Sequence, residues 1–340
     1  MRIFVGEYIC GGGLADQSVD DVPDSLRLEG AAMLRSIVED VSQFADAVVP
    51  LDQRLGLEID AAQVIPTQPP GQLWAQWVAA ARDCDAAVVV IPESGGLLAQ
   101  GVAMLRASGV DVVAGSGDFL RVASDKWQTA KTLHESGISH PLSMITSDNR
   151  FETELRQLSE FVVKPRDGCA SQDIQCYDSF DDAVQDLADD QMLQAKVPGQ
   201  SISVSLIASG SQQTFLPAVR QTISVDTFSY AGGSGPLDTE AQRRATALAS
   251  HAVSAMPPTV RGFVGIDLIL GDTPSDDYVI EINPRFSTSY VGLRRMIRGN
   301  LAARLFDIET GPVTCAAAKD SVRWSADGQV WVNDMAINSA

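Results

Sequence analysis

Histidine is scarce in this sequence. His134, His140 and His251 are the 3 in 340 residues, too few and too dispersed for an imidazole metal centre or for catalysis built on histidine. Each is read as structural or solvated. Cysteine is little better represented: Cys10, Cys84, Cys169, Cys176 and Cys315 are odd in number and scattered, with no C-x-x-C pair. That excludes a disulfide framework and a structural zinc site, and it suits a reducing, cytoplasmic compartment. Basic residues are outnumbered, 25 Lys and Arg against 44 Asp and Glu, for a formal charge of -19. Such a surface repels nucleic-acid phosphate and anionic lipid, so neither nucleic acid nor a membrane is an expected partner, and any polyphosphate site has to be locally basic. No stretch approaches the roughly 20 apolar residues of a membrane span, and the opening MRIFVGEYICGGG lacks the apolar run of a secretory signal. The reading is a soluble protein. A G-x-S-x-G elbow and a Cys-His pair are also missing, which leaves Cys10 and Cys169 as spectators and argues against a covalent enzyme intermediate.

What is present is apolar content sufficient for several cores, 45% of the chain. In the first third, Ile3 to Tyr8, Ala47 to Leu51, Ala86 to Ile91 and Val110 to Ala114 are short, nearly all-apolar runs separated by helix candidates. Such alternation predicts an α/β domain, a doubly wound parallel sheet covered on both faces. Its ligand edge lies at the strand carboxyl ends, where GEYICGGG, LDQR and PESGG stand. From about residue 118 the character changes. SDKWQTAKTLHESG reads as a helix with Ser124 as cap and Gly137 as stop, EFVVKPRDGCASQDIQCY as two strands about a glycine turn, and SFDDAVQDLADD as an acidic helix capped by Ser. The region from Met192 to about Leu305 is strand-rich with a helix near 238 to 256, and the tail turns a hairpin at Asp327-Gly328. The expected domains are 1–117, 118–190, 191–311 and a closing tail, 312–340.

Two apolar strands, GFVGIDLIL and YVIEINPRFSTS, deliver Asp267, Glu281 and Asn283. An Asp facing a Glu-x-Asn is a plausible magnesium site, because that ion takes hard oxygen ligands and few protein ones beside phosphate. The competing reading is an ordinary hairpin with outward polar residues, which the cost of an unpaired carboxylate in an apolar run disfavours. Lys126 and Lys164 are point charges suited to polyphosphate, and Gly168 follows Lys164 in a turn whose N–H groups can cover phosphates. Gly11 to Gly13 permit close backbone approach at the sheet mouth, Glu7 and Glu93 offer charge to an ammonium group, and YAGGSGP reads as a mobile loop over the site. Asp52 and Arg54 either orient a substrate carboxylate or form a surface ion pair. Trp74, Trp77 and Trp127 are assigned to packing.

The order DK-x-x-x-x-K, VVKP with a glycine turn, LQ-x-x-VPG, then Asp on one strand and E-x-N-P-R on the next resembles the ATP-grasp superfamily over about residues 118 to 300. The resemblance implies two α+β lobes clasping ATP behind an N-terminal domain. It puts Lys126 and Lys164 on the phosphates and Gln194, Ala195 and Val197 beside the adenine. Asp267, Glu281 and Asn283 would hold magnesium, or manganese in its place, with Arg285 and Lys164 at the reacting phosphate. Many members carry Glu where Gln194 stands and a ribose-binding Glu near Ser201. GEYICGGG, IPESGGLLA, YAGGSGP and NPRFSTSYVGL further resemble the tyramine-glutamate ligases of methanofuran biosynthesis, which implies amide formation through an acyl phosphate from glutamate and an aromatic amine, with Glu7, Gly12, Glu93, Tyr230, Gly232 and Ser287 near the substrates. A bicarbonate-using carboxylase and a non-catalytic nucleotide-binding protein stay as alternatives, and a homodimer is left open.

Overall fold

The structure is a computed structural model that describes residues 1–67, 72–168, 173–210, 212–224, 229–315 and 321–337. Its first sheet is parallel, in the order β3-β2-β1-β4-β5, from β1 (Arg2–Glu7), β2 (Asp46–Leu51), β3 (Gln63–Pro66), β4 (Ala86–Val90) and β5 (Asp111–Val112). Strand alternation divides its side chains between two cores. Phe4, Ala87 and Val89 join α2 (Leu73–Ala81) and α3 (Leu97–Ala107) on one side. Ile3, Val5, Val88 and Val90 join α1 (Asp24–Val41) on the other. The doubly wound, two-faced sheet expected from the sequence is therefore what forms. Gln63–Pro66 is an edge strand that the apolar-run criterion passed over, since its burial is only partial.

A helical connection, α4 (Gly117–Ala123) and α5 (Lys126–Glu135), leads into a four-stranded antiparallel sheet, β6-β9-β7-β8. Its strands are β6 (Ser143–Met144), β7 (Phe161–Pro165), β8 (Gln175–Tyr177) and β9 (Gln191–Ala195), with α6 (Glu152–Leu155) and α7 (Phe180–Gln185) packed against them. Because Gln191–Ala195 pairs with β6 and β7, the small lobe runs to about 195 and not 190, a boundary only the pairing reveals. Asp125, not Ser124, caps α5, its carboxylate accepting the N–H groups of Trp127 and Gln128.

The third sheet is antiparallel and nine-stranded among the described residues. It comprises β10 (Gln200–Ser209), β11 (Gln212–Phe215), β12 (Val219–Ile223), β13 (Tyr230–Gly235), β14 (Gly262–Leu270), β15 (Tyr278–Asn283), β16 (Val322–Ser325), β17 (Val330–Val332) and β18 (Met335–Ile337). The helix α8 (Thr239–Ala255) buries Ala245, Ala249, Ala252 and Val253 against Ile202, Val204, Val264, Ile266 and Leu268. The opposite face, carrying Ser203, Ser205, Gly265 and Asp267, is thereby turned toward the cleft. Beyond β15 come α9 (Ser289–Met296) and α10 (Leu301–Leu305).

Two expectations change here. The tail does turn at Gly328, whose φ is 87°, but it is not separate: β16 pairs with β13 and extends the large sheet. YAGGSGP is correspondingly a strand and not a mobile loop. Its glycines are needed for proximity. A Cβ on Gly233 would lie 2.4 Å from the Trp324 ring, and one on Gly232, at φ 143°, would lie 2.0 Å from the Trp324 carbonyl oxygen.

Candidate active site

Paired strands build the centre of the cleft. β14 and β15 run antiparallel with Asp267 directly opposite Glu281 and Gly265 opposite Asn283. Two carboxylates side by side on a sheet repel each other, and surrounding groups manage that charge. Asp267 accepts from Gln221 Nε2 at 2.9 Å and from Asn283 Nδ2 at 2.9 Å. Burial, reinforced by the neighbouring Glu281 charge, nevertheless pushes its pKa up. For Glu281 burial acts in the same direction, but the cations Lys126, Lys164 and Arg285 outweigh it and hold the carboxyl below its usual range. Lys126 Nζ lies 3.4 Å from Glu281 Oε2. The donor set is oxygen throughout, the kind that hard divalent cations take, and it leaves room for phosphate oxygens.

The two lysines arrive from different elements. Lys126 begins α5, and its Nζ donates to the Gly168 carbonyl. Lys164 sits on β7, where Phe161 and Val163 enter the small-lobe core while the alternate positions face away from it. Burial lowers its pKa to about 8, with Lys126 adding to the effect and Glu281 and Asp267 opposing it. Asp125 joins the two lysine segments. It caps α5 and accepts from Arg166 Nη2 at 2.5 Å, while Lys126 N–H donates to the Arg166 carbonyl at 2.7 Å. Over the site, Gly95 N–H donates to Asp167 Oδ2 at 3.0 Å, so PESGG of the first domain meets the turn after β7. Residues 169–172 of that turn, Cys169 included, lie outside the described residues. Glu93, Lys126, Thr129, Gly168, Glu281 and Asn283 line one cleft.

Among the residues assigned to the adenine, Gln194 is buried on the same face of the small sheet as Lys164. Its Nε2 lies 3.3 Å from Ser143 Oγ, to which it donates, and 3.3 Å from His140 Nε2. Ala195 instead packs in the small-lobe core. Val197 is half-buried in the connection to the large sheet, and Ser201 stands opposite Ile269 on β10, on the face shared with Ser203 and Asp267.

The substrate candidates separate. Arg285 is in the cleft wall, its Nε donating to Glu93 Oε2 at 2.7 Å, so Glu93 already has a cation. Glu7 is 3% exposed beneath the glycine loop, where Oε2 accepts from Cys10 N–H at 2.7 Å; it braces the loop and does not face the cleft. Gly11 and Gly13 lie against the Trp77 and Tyr8 rings, which explains the glycines by packing; Gly12 has φ 96°. Trp77 is fully buried, as packing requires. Asp52 and Arg54 form the ion pair, 2.6 Å, and Arg54 also ties down the loop through the Gln17 carbonyl. Tyr230 accepts from Trp324 Nε1 at 2.7 Å. Gly232 belongs to strand contact, and Ser287 Oγ lies 2.6 Å from Ser289 Oγ. Gln221, Ser203 and Asp125 escaped the reading of the sequence. Asp125 carried a signal, an Asp two and three positions before the helix N–H groups it accepts; the other two depend on strand register.

A facing, half-buried pair of acids flanked by an amide, two lysines and an arginine, set between two antiparallel lobes, defines a nucleotide-grasping architecture. Comparison with known proteins agrees. Residues 123–289 match the ATP-grasp domain and residues 45–118 the pre ATP-grasp 3 domain; together they span well over half of the chain, which belongs to the ATP-grasp superfamily. Among curated relatives, a tyramine–L-glutamate ligase of Methanocaldococcus fervens is 27% identical over 212 residues, 62% of each chain. One of Methanocaldococcus jannaschii is 25% identical over 63% of this chain and 59% of its own. The match thus spans about three fifths of the relatives' length. An ATP-grasp superfamily structure from Archaeoglobus fulgidus superposes with TM-score 0.71 at 22% identity, covering 95% of this chain and 92% of that one. N5-carboxyaminoimidazole synthetase of Staphylococcus aureus, solved with ADP, gives 0.68 at 11% identity over 95% and 81%. At these identities the structural likeness speaks to fold alone. No helix among the described residues is long and apolar enough to cross a membrane.

Proposed function

We propose that this protein is an ATP- and magnesium-dependent carboxylate–amine ligase that forms an amide through an acyl phosphate, with glutamate as donor and tyramine or a related aromatic amine as acceptor. The observation that carries the reading is the convergence of Lys126, Lys164 and Arg285 on Glu281 and Asp267 in one cleft. That pattern of charge suits a metal-bound polyphosphate and a developing phosphoryl charge. The similarity to ligases of this substrate pair supports the choice of substrates. Asp267, Glu281 and Asn283 would hold magnesium, which when bound supplies positive charge to the phosphate oxygens. The residues fit it: facing carboxylates, oxygen donors only, and a charge repulsion that a cation relieves.

Lys126 and Lys164 hold the triphosphate while a donor carboxylate oxygen attacks the γ-phosphorus and ADP leaves. The amine nitrogen then attacks the acyl carbon, the tetrahedral oxyanion faces Arg285, and the carbon–oxygen bond to phosphate breaks. Of the two protons the ammonium loses, one departs with the phosphate and one reaches solvent. The test is phosphate release from ATP and magnesium with L-glutamate and tyramine, with mass spectrometry of the product. Release that requires both partners, with a glutamyl–tyramine amide formed, is expected. Release that needs only bicarbonate, or none with any carboxylate and amine, would overturn the reading.

A further inference from the structure

The ligase reading, on which this inference rests, brings the acceptor in as an ammonium at neutral pH. A cation entering a partly dry cleft needs a carboxylate partner. Glu7 and Glu93 are already engaged, the first by the Cys10 N–H beneath the loop and the second by Arg285. A third carboxylate stands against the segment that follows the metal strand. Glu29, half-buried on α1, receives a hydrogen bond from the Thr288 hydroxyl and forms no ion pair among the described residues. Thr288 ends the NPRFST segment that starts at Asn283 and carries Arg285, so this contact sets Glu29 beside the loop that holds the reacting centre. The Tyr230 phenol, fixed by Trp324 Nε1, feels the negative charge of both Glu29 and Asp267.

We propose that Glu29 is the residue that binds the ammonium group of the amine substrate, beside Tyr230, and thereby selects a charged primary amine over neutral nucleophiles. A purely mechanical role, tying α1 to α9, is already filled elsewhere. Asp40 of α1 pairs with Arg294 at 2.5 Å and accepts from Tyr290 at 2.6 Å. Glu29→Gln separates the two roles, because its amide oxygen still accepts from Thr288 while the charge is gone.

The experiment compares two nucleophiles on the same acyl phosphate, with ATP, magnesium and L-glutamate in both: tyramine, and hydroxylamine, which is uncharged at neutral pH and traps acyl phosphates as hydroxamates. Glu29→Gln is expected to raise the KM for tyramine about tenfold or more. KM for ATP and for glutamate, and the hydroxamate rate, should stay at wild-type values, and Glu29→Asp should recover part of the tyramine affinity. An unchanged tyramine KM, or a parallel fall in hydroxamate formation, would overturn the assignment. Wild type that forms neither hydroxamate nor amide overturns the ligase reading itself, and this inference with it, a result distinct from either.

Discussion

His140 allows a quantitative prediction. It lies where the chain enters the small lobe, with Nδ1 2.8 Å from the Pro141 carbonyl oxygen. A carbonyl only accepts, so Nδ1 carries the proton and Nε2 is left to accept from Gln194 Nε2 at 3.3 Å. The carbonyls of Pro141 and Ile280 favour a protonated ring, but they are outweighed. Burial, with the Lys164 charge adding to it, pulls the pKa down to about 3 from the ordinary 6.5. Between those values the unfolded chain binds a proton that the native state refuses. Stability is therefore untouched above about pH 6.5 and falls as the pH drops toward 3. At about 1.4 kcal/mol per unit, the loss from this residue is about 2 kcal/mol at pH 5. Histidine Cε1 proton resonances, assigned through His134 and His251 variants, should show His140 not titrating above about pH 4. Urea unfolding at pH 7.5 and 5 should show His140→Asn less stable than wild type at the higher pH but losing about 2 kcal/mol less on acidification. A His140 midpoint near its ordinary value, or equal losses in the two proteins, would refute the reasoning.

Glu281→Ala should lower the rate of ATP-dependent phosphate release about a hundredfold or more, with a melting temperature that does not rise, since relief of the repulsion with Asp267 is offset by leaving Lys126 and Lys164 without the carboxylate they face; wild-type turnover would remove the site assignment. Gly232→Ala should cost about 3 kcal/mol in urea unfolding, because its Cβ would meet the Trp324 carbonyl at 2.0 Å and φ is 143°. A loss below about 0.5 kcal/mol would show that β13 and β16 separate more easily than the packing indicates. Arg294→Met leaves Asp40 buried without its cation and should cost about 3–5 kcal/mol, most of it restored by adding Asp40→Leu. Equal instability of the single and double variants would refute the account of that pair.

What the sequence by itself determined is what local pattern encodes. Apolar runs of strand length predicted the parallel sheet and its two covered faces, because a β-strand sorts side chains by parity regardless of what lies beyond it. The same parity put Glu281 and Asn283 on one face, and the order of lysines, acids and glycines pointed to the ATP-grasp superfamily. Only the tertiary structure decided which of several like residues serves which purpose. Glu7, Glu29 and Glu93 are equivalent in composition. One lies under a loop, one pairs with Arg285 192 positions away, and one meets Thr288 259 positions away. Likewise AGG in YAGGSGP reads as flexibility until Trp324, from the far end of the chain, is found against it. The reason is physical: backbone propensity and alternation act over a few residues, whereas the partner that neutralises a carboxylate or excludes a Cβ is chosen by contacts that exist only once distant segments have packed.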